Sequence, residues 1–296
     1  FKLFVFAVLT SFHLGVFAQG GNSKYVNPFI GTSGFGHTYP GATVPFGLVQ
    51  LSPETGNFKW DYTSGYQYKD STILGFAHTH LSGTGVSDLG DVLFFPFQGE
   101  KQVYKSGFNK STEKASPGYY TVVLKDNNIK AELTTTARVG VHQYTFNKGG
   151  KASILIDAQN GLVNSPRELA GYILEGQVTV VGNNKLTGYI QSKKWVTRRT
   201  FFTISFDKNF TAHRFIDGDK KRKVILDFDV TAGAKIGAKV ALSTTSVAGA
   251  QLNMKEAENL SFAQVRANSV AQWDKLLATA TITGSLAQKE NFYTSL

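Results

Sequence analysis

Cysteine is absent from the 296-residue chain, methionine occurs once and proline seven times. Without cysteine no disulfide supports the fold and no lipidated thiol can anchor the chain. Stability must come from burial, and with 42% hydrophobic and 13% aromatic residues there is enough apolar surface for one large β domain or two smaller ones. No internal repeat and no phosphate-cradling glycine loop is present. The apolar run from Leu3 to Ala18 is short for a membrane span and leads into polar sequence. Lys2 ahead of it and the small-residue end Val16-Phe17-Ala18 read as a secretory signal peptide over 1–18, so a secreted or periplasmic location is expected with no span in the mature chain. A start at Phe1 rather than Met reads as an incomplete N-terminus.

Acidic residues are scarce, and unevenly so. Residues 1–100 hold four Lys and Arg against six Asp and Glu; the remainder holds 27 against 15, for a formal charge of +10 overall. The basic density falls at Lys193-Lys194-Trp195-Val196-Thr197-Arg198-Arg199 and at Lys220-Lys221-Arg222-Lys223. Such patches raise the question of nucleic acid. A secreted chain seldom meets it, so no nucleic-acid partner is expected, and the second patch reads as a solvated hairpin end.

Glycine and aromatics are abundant, with 30 Gly and 23 Phe. From residue 100 to 250 short apolar, β-branched segments alternate with turn signals such as Asn147-Lys148-Gly149-Gly150 and Gly182-Asn183-Asn184. This spacing predicts an antiparallel β-sandwich over 19–250. Earlier, Val44 to Pro53 reads as a short strand. Over 251–296 the pattern turns helical, with Asn253 as N-cap and Glu256 at the capping-box position. Trp273, Leu276 and Leu277 form an apolar face there, Ala280 to Gly284 reads as a short strand, and a last helix runs to Leu296 without a C-cap. That ending reads as a truncated gene model or a fragment.

The stretch richest in chemistry is Gly75-Phe76-Ala77-His78-Thr79-His80-Leu81-Ser82-Gly83-Thr84-Gly85-Val86-Ser87-Asp88-Leu89-Gly90-Asp91. It lies between two apolar runs that read as strands, so it predicts a polar loop on a rigid sheet, where binding groups usually sit. His78 and His80, two apart, point to one side of an extended chain, and Asp88 and Asp91, three apart, to opposite sides. The two aspartates therefore make a poor acid–base pair, and His78, His80 and Asp88 match no strong metal-ligand spacing. Trp60-Asp61-Tyr62-Thr63-Ser64 offers aromatic faces beside hydroxyls, a composition that suits sugar rings and equally suits a packed turn.

Four motifs then occur in order: Tyr25 to Thr32, Thr38 to Gly47, Ser64-Gly65-Tyr66, and Gly75 to Gly85. Together they resemble glycoside hydrolase family 92, whose members are mostly secreted, calcium-dependent exo-α-mannosidases acting on glycans such as N-glycans. The resemblance covers the mature chain and the family's N-terminal half. It implies a galactose-mutarotase-like supersandwich, with 251–296 as a helical linker towards an (α/α)6 barrel absent from this chain. It also implies an inverting hydrolysis in which a general acid and a general base stand about 6.5–9.5 Å apart across the glycosidic bond. The barrel would bring both carboxyls and most ligands for Ca2+, leaving neither a catalytic nor a metal residue here. The sandwich would supply part of a mannose pocket, with Trp60 as a wall and His78, Thr79, His80 and Ser82 in the loop facing the barrel. A stand-alone carbohydrate-binding module is the other reading of the same residues.

Overall fold

A computed structural model describes residues 21–100 and 103–296; the expected leader over 1–18 lies outside the described residues. Along the chain run β1 (Ser52–Glu54), β2 (Thr72–Ile73), β3 (Gly75–Ala77), β4 (Leu93–Gln98), β5 (Ser106–Gly107), β6 (Lys114–Ser116), β7 (Tyr119–Leu124), β8 (Ile129–Thr135), β9 (Val139–Phe146) and β10 (Gly150–Asp157). Helix α1 (Pro166–Tyr172) precedes β11 (Ile173–Val181), β12 (Lys185–Lys193), β13 (Thr197–Phe206), β14 (Ala212–Phe215), β15 (Lys223–Val230) and β16 (Ala234–Ser243). Three helices follow, α2 (Val247–Met254), α3 (Phe262–Leu277) and α4 (Leu286–Ser295).

The strands form a six-stranded sheet, ordered β1-β3-β4-β10-β15-β14, an eight-stranded sheet, ordered β11-β12-β13-β16-β9-β8-β7-β6, and a small two-stranded pair, β2-β5. Every pairing is antiparallel, as the short turns require. One row of each sheet faces the other. Phe94 of β4 stacks on His142 of β9 at 4.7 Å, Phe76 meets Tyr144 at 6.2 Å, and Phe206 meets Phe228 at 5.4 Å. Burial of these aromatics with Leu133, Ile154, Ile190, Ile204 and Leu226 makes one continuous core between the sheets.

Several local expectations give way to tertiary structure. Between Val44 and Pro53 only Ser52 and Pro53 belong to a strand, preceded by a lone bridge from Ala42 to Leu51. The reason is a turn at Val44-Pro45-Phe46-Gly47, closed by the Gly47 amide on the Val44 carbonyl at 3.0 Å. The capping box lies not at Asn253 but at Ser261 with Gln264, and α2 starts from Ser246. Asn253 instead donates to the Leu242 carbonyl, and Glu256 binds Thr136 and Arg138 on the β8–β9 turn. Residues 280–284 form a loop, not a strand. The helical face is not free either. Leu277 is buried, Trp273 donates to the Thr43 carbonyl at 2.6 Å, and Tyr293 stacks on Tyr25 at 5.6 Å, so α3 and α4 clasp the segment that carries the first motif.

Phe46 stands apart. Its φ is +58° and its side chain is 96% exposed, so nothing local holds a bulky residue in the left-handed region. That conformation costs an L-residue about 1–2 kcal/mol, of which glycine's greater unfolded freedom would take back about 0.5–1. Phe46→Gly is therefore expected to raise stability by about 0.5–1 kcal/mol. Urea unfolding would check it; a lower midpoint would mean that the ring packs where it stands exposed.

Candidate functional site

The loop over 78–91 leaves β3 and returns to β4. It is closed at its base by the His78 amide on the Asp91 carbonyl (3.0 Å) and by the Gly90 amide on the Thr79 carbonyl (2.8 Å). Leu89 (φ +70°) and Gly90 (φ +84°) turn the chain sharply there. A Cβ on Gly90 would stand 3.0 Å from a Glu54 carboxylate oxygen and from Leu162, so backbone passes where a side chain would not fit.

That turn undoes the extended-chain geometry expected of Asp88 and Asp91: instead of pointing apart, both reach Arg198 at the start of β13. Arg198 grips Asp91 with two hydrogen bonds, 2.5 and 2.9 Å, and lies 3.6 Å from Asp88. It also donates to the Tyr172 hydroxyl (2.6 Å), which donates to Asp88 (2.9 Å). Thr79 donates to Asp91 and accepts from the Asp91 amide, both at 3.0 Å. Burial works against the Arg198 charge, but Asp91 first, then Tyr172 and Asp88, outweigh it and hold its pKa above the ordinary value. Next to this clamp, Lys194 donates to Ser87 at 3.0 Å and pairs with Glu168 in the first turn of α1. The first basic patch is thus partly turned inwards onto the loop. In the second, 219–221 are exposed, but the Arg222 side chain binds carbonyls of Ile173, Leu174 and Gly176 on β11.

The two histidines enter separate networks. His78 is fully enclosed: its Nδ1 faces the Val92 carbonyl at 2.6 Å and its Nε2 faces His142 Nε2 at 2.9 Å. His142 Nδ1 in turn faces the Tyr144 hydroxyl at 2.8 Å. A carbonyl only accepts, so His78 carries its proton on Nδ1, His142 on Nε2, and Tyr144 donates. All three rings are neutral. Burial lowers the His78 pKa to about 4 and drives that of His142 well below its usual value. His80, 3% exposed, lies against the Tyr39 ring, donates from Nδ1 to the Gln50 carbonyl (2.8 Å) and holds Nε2 3.7 Å from Glu54. Burial lowers His80 to about 4 and raises Glu54, which accepts twice from Asn160, to about 8. Around pH 7 Glu54 is therefore a neutral acid beside a neutral histidine.

The surface above these networks is aromatic and polar. Trp60 is 46% exposed, with the Phe35 ring at 4.8 Å and the His37 ring edge-on at 4.3 Å; Phe35 itself is 74% exposed. The Trp60 indole lies against Gly85, where an added Cβ would come within 2.7 Å of its Nε1. Ser82 is exposed, next to Gly83, whose amide binds the His37 carbonyl at 2.8 Å, whereas Thr79 is buried in the Asp91 clamp. Trp60 and Ser82 are thus exposed, and His78, Thr79 and His80 are buried. Sequence reasoning passed over Phe35 and His37, although Gly34-Phe35-Gly36-His37 signals an aromatic presented by a turn. It also missed Tyr172, which carries no local signal, and read Lys194 and Arg198 only as part of a basic patch. Among the described residues no three His, Asp or Glu side chains are arranged to hold a metal ion, and Asp91 is engaged by Arg198 and Asp88 by Tyr172.

Fold and site define a two-sheet β-sandwich with an aromatic, loop-built surface at one end. Residues 25–243 match the glycosyl hydrolase family 92 N-terminal domain, and the chain belongs to that family. It is similar to a family GH92 α-mannosidase from Bacteroides thetaiotaomicron solved in complex with mannoimidazole, at 38% identity and a TM-score of 0.87, covering 93% of this chain and 39% of that one. A GH92 inverting mannosidase from the same species shares the fold at 23% identity, with a TM-score of 0.80 over 93% of this chain and 39% of that one. An uncharacterized secreted glycosidase of Arthroderma benhamiae is 26% identical over 204 residues, 64% of this chain and 26% of its own. The chain thus spans about two fifths of the solved relatives and a quarter of the fungal one.

Proposed function

We propose that this chain is the N-terminal domain of a secreted exo-acting α-mannosidase and forms one wall of its terminal mannose site. The observation that carries this is the Phe35–Trp60 pair, two exposed rings held over a loop that Arg198, Lys194 and Gly85 fix from below. Sugar C–H faces stack on such rings, while the Ser82 hydroxyl and loop amides are at hand for sugar hydroxyls. His78, Thr79 and His80 hold the loop, a positioning part rather than a contact.

Inverting hydrolysis needs one carboxylic acid to protonate the leaving oxygen and one carboxylate to activate water, about 6.5–9.5 Å apart. Asp88 and Asp91 are committed to Arg198, and Glu54 is enclosed and neutral, so none of these three takes either part. Both groups, and the Ca2+ ligands, would come from a C-terminal (α/α)6 barrel of the same polypeptide facing this surface. The solved α-mannosidase relative, more than twice as long as the stretch it shares with this chain, supports that division of labour.

The test is a ligand-observed NMR titration of the 296-residue chain with methyl α-mannoside, beside an assay of 4-nitrophenyl α-mannoside hydrolysis. Weak binding without hydrolysis is expected, and Trp60→Ala should weaken binding about tenfold, near 1.4 kcal/mol. Hydrolysis by this chain alone would overturn the half-site assignment; absence of binding would overturn the sugar-wall assignment.

A further inference from the structure

The turn between β12 and β13 presents Trp195 (70% exposed) and Val196 (63% exposed) at its tip, with Leu174 of β11 (48% exposed) on the neighbouring strand. A tryptophan left that bare on a three-residue turn contributes little to folding. The residues on either side of it do the opposite. Lys194 points back to bind Ser87 and Glu168, and Arg198 points back to clamp Asp91. The hairpin is therefore fastened at its base to the candidate sugar loop while its tip is kept free.

The loop gives the tip a definite place. Trp60 rests on Gly85 and Lys194 on Ser87, two residues further along the same chain. Trp60 and the hairpin are thus both held against one short piece of loop. Beside the turn, Arg199 binds Gln191 (2.6 Å) and Glu175 (2.8 Å), a fixed and solvent-facing set of donors and acceptors. A bare aromatic ring with held polar groups at its side is what a sugar ring needs, with its apolar face and its hydroxyls.

We infer that the Trp195 hairpin is a second sugar-contact point, taking a unit beyond the terminal mannose of an α-linked mannoside and so setting preference for chain length and linkage. This rests on the mannose-wall reading of Trp60, and the two fail differently in one experiment. The full chain and its Trp60→Ala and Trp195→Ala variants would be titrated by ligand-observed NMR with methyl α-mannoside and with α-mannotrioses of different linkage. Thermal unfolding would confirm that each variant is folded.

The wild-type chain is expected to bind at least one triose several-fold more tightly than the monosaccharide. Trp195→Ala should bring that triose down to the monosaccharide level and leave methyl α-mannoside unchanged, while Trp60→Ala weakens both. If Trp195→Ala keeps the gain with length, or the wild type has none, the second contact is overturned and Trp60 keeps its part. The tip would then be a docking point for another protein segment. If the wild type binds neither ligand, both readings fall.

Discussion

Arg198→Met is expected to destabilise the chain by about 3–5 kcal/mol, the usual result of leaving a buried charge unpaired. Asp91 has 1% of its side chain exposed, and Arg198 is its only cationic partner among the described ion pairs. Removing the guanidinium also strips the Tyr172 hydroxyl of a donor and Asp88 of its ion-pair partner, so the loss reaches the whole base of the 78–91 loop. Met keeps much of the Arg stem, so lost packing adds little. Asp91→Asn in the same background should restore part of the stability by removing the orphaned charge. Chemical denaturation of the two single variants and the double variant closes the cycle. Additive losses would mean that Arg198 and Asp91 are not coupled, and that the loop is held by backbone bonds alone.

A stability maximum near pH 6.5 is the second expected result, and its two limbs have different owners. Burial holds the folded pKa values of His78 and His80 near 4 against an ordinary 6.5, and that of His142 well below its usual value. Depressed values mean that the unfolded chain takes up protons first as pH falls. Stability present above 6.5 is therefore lost between 6.5 and about 4, at about 1.4 kcal/mol per unit for each histidine. Glu54 is displaced the other way, to about 8 from an ordinary 4.5. Its contribution is complete below 4.5 and is lost as pH rises through 8. Between 4.5 and 6.5 three histidines oppose one glutamate, so the acid limb falls; from 6.5 to 8 Glu54 acts alone among these four and the alkaline limb falls more gently. Glu54→Gln keeps an acceptor for Asn160 and leaves an uncharged group beside His80, so it should flatten the alkaline limb and leave the acid limb in place. Thermal midpoints from pH 4 to 9 would show it. An unchanged alkaline limb in that variant would mean that Glu54 is ionised in the folded chain.

Stability and function share residues here. The histidines that sequence reading offered as sugar contacts are the ones whose burial makes the chain sensitive to acid, because both nitrogens of His78 are spent inside the core. The proposed contact falls to Trp60 instead. Its motif lies in a loop whose backbone bonds go to Asn164 and Thr63, so its ring is left to the surface.

What the sequence alone determined was whatever depends on near neighbours. Short apolar, β-branched segments between turn signals placed the strands over 100–250, because strand preference and turn chemistry are local properties. Motif order likewise sufficed for the family. Only the tertiary structure decided how the site is held. Asp91, in the loop ahead of β4, and Arg198, on β13, lie 107 residues apart, and no local pattern links them. Asp88 and Asp91 converge because Leu89 and Gly90 adopt positive φ, which removes the extended geometry from which their directions were inferred. The capping box sits at Ser261 rather than Asn253 because the Leu242 carbonyl, brought near by packing of α2 on β16, claims the Asn253 side chain. Side chains were assigned by their own stretch of chain where burial is local, and reassigned where a partner from the other sheet offered a hydrogen bond that the stretch itself could not supply.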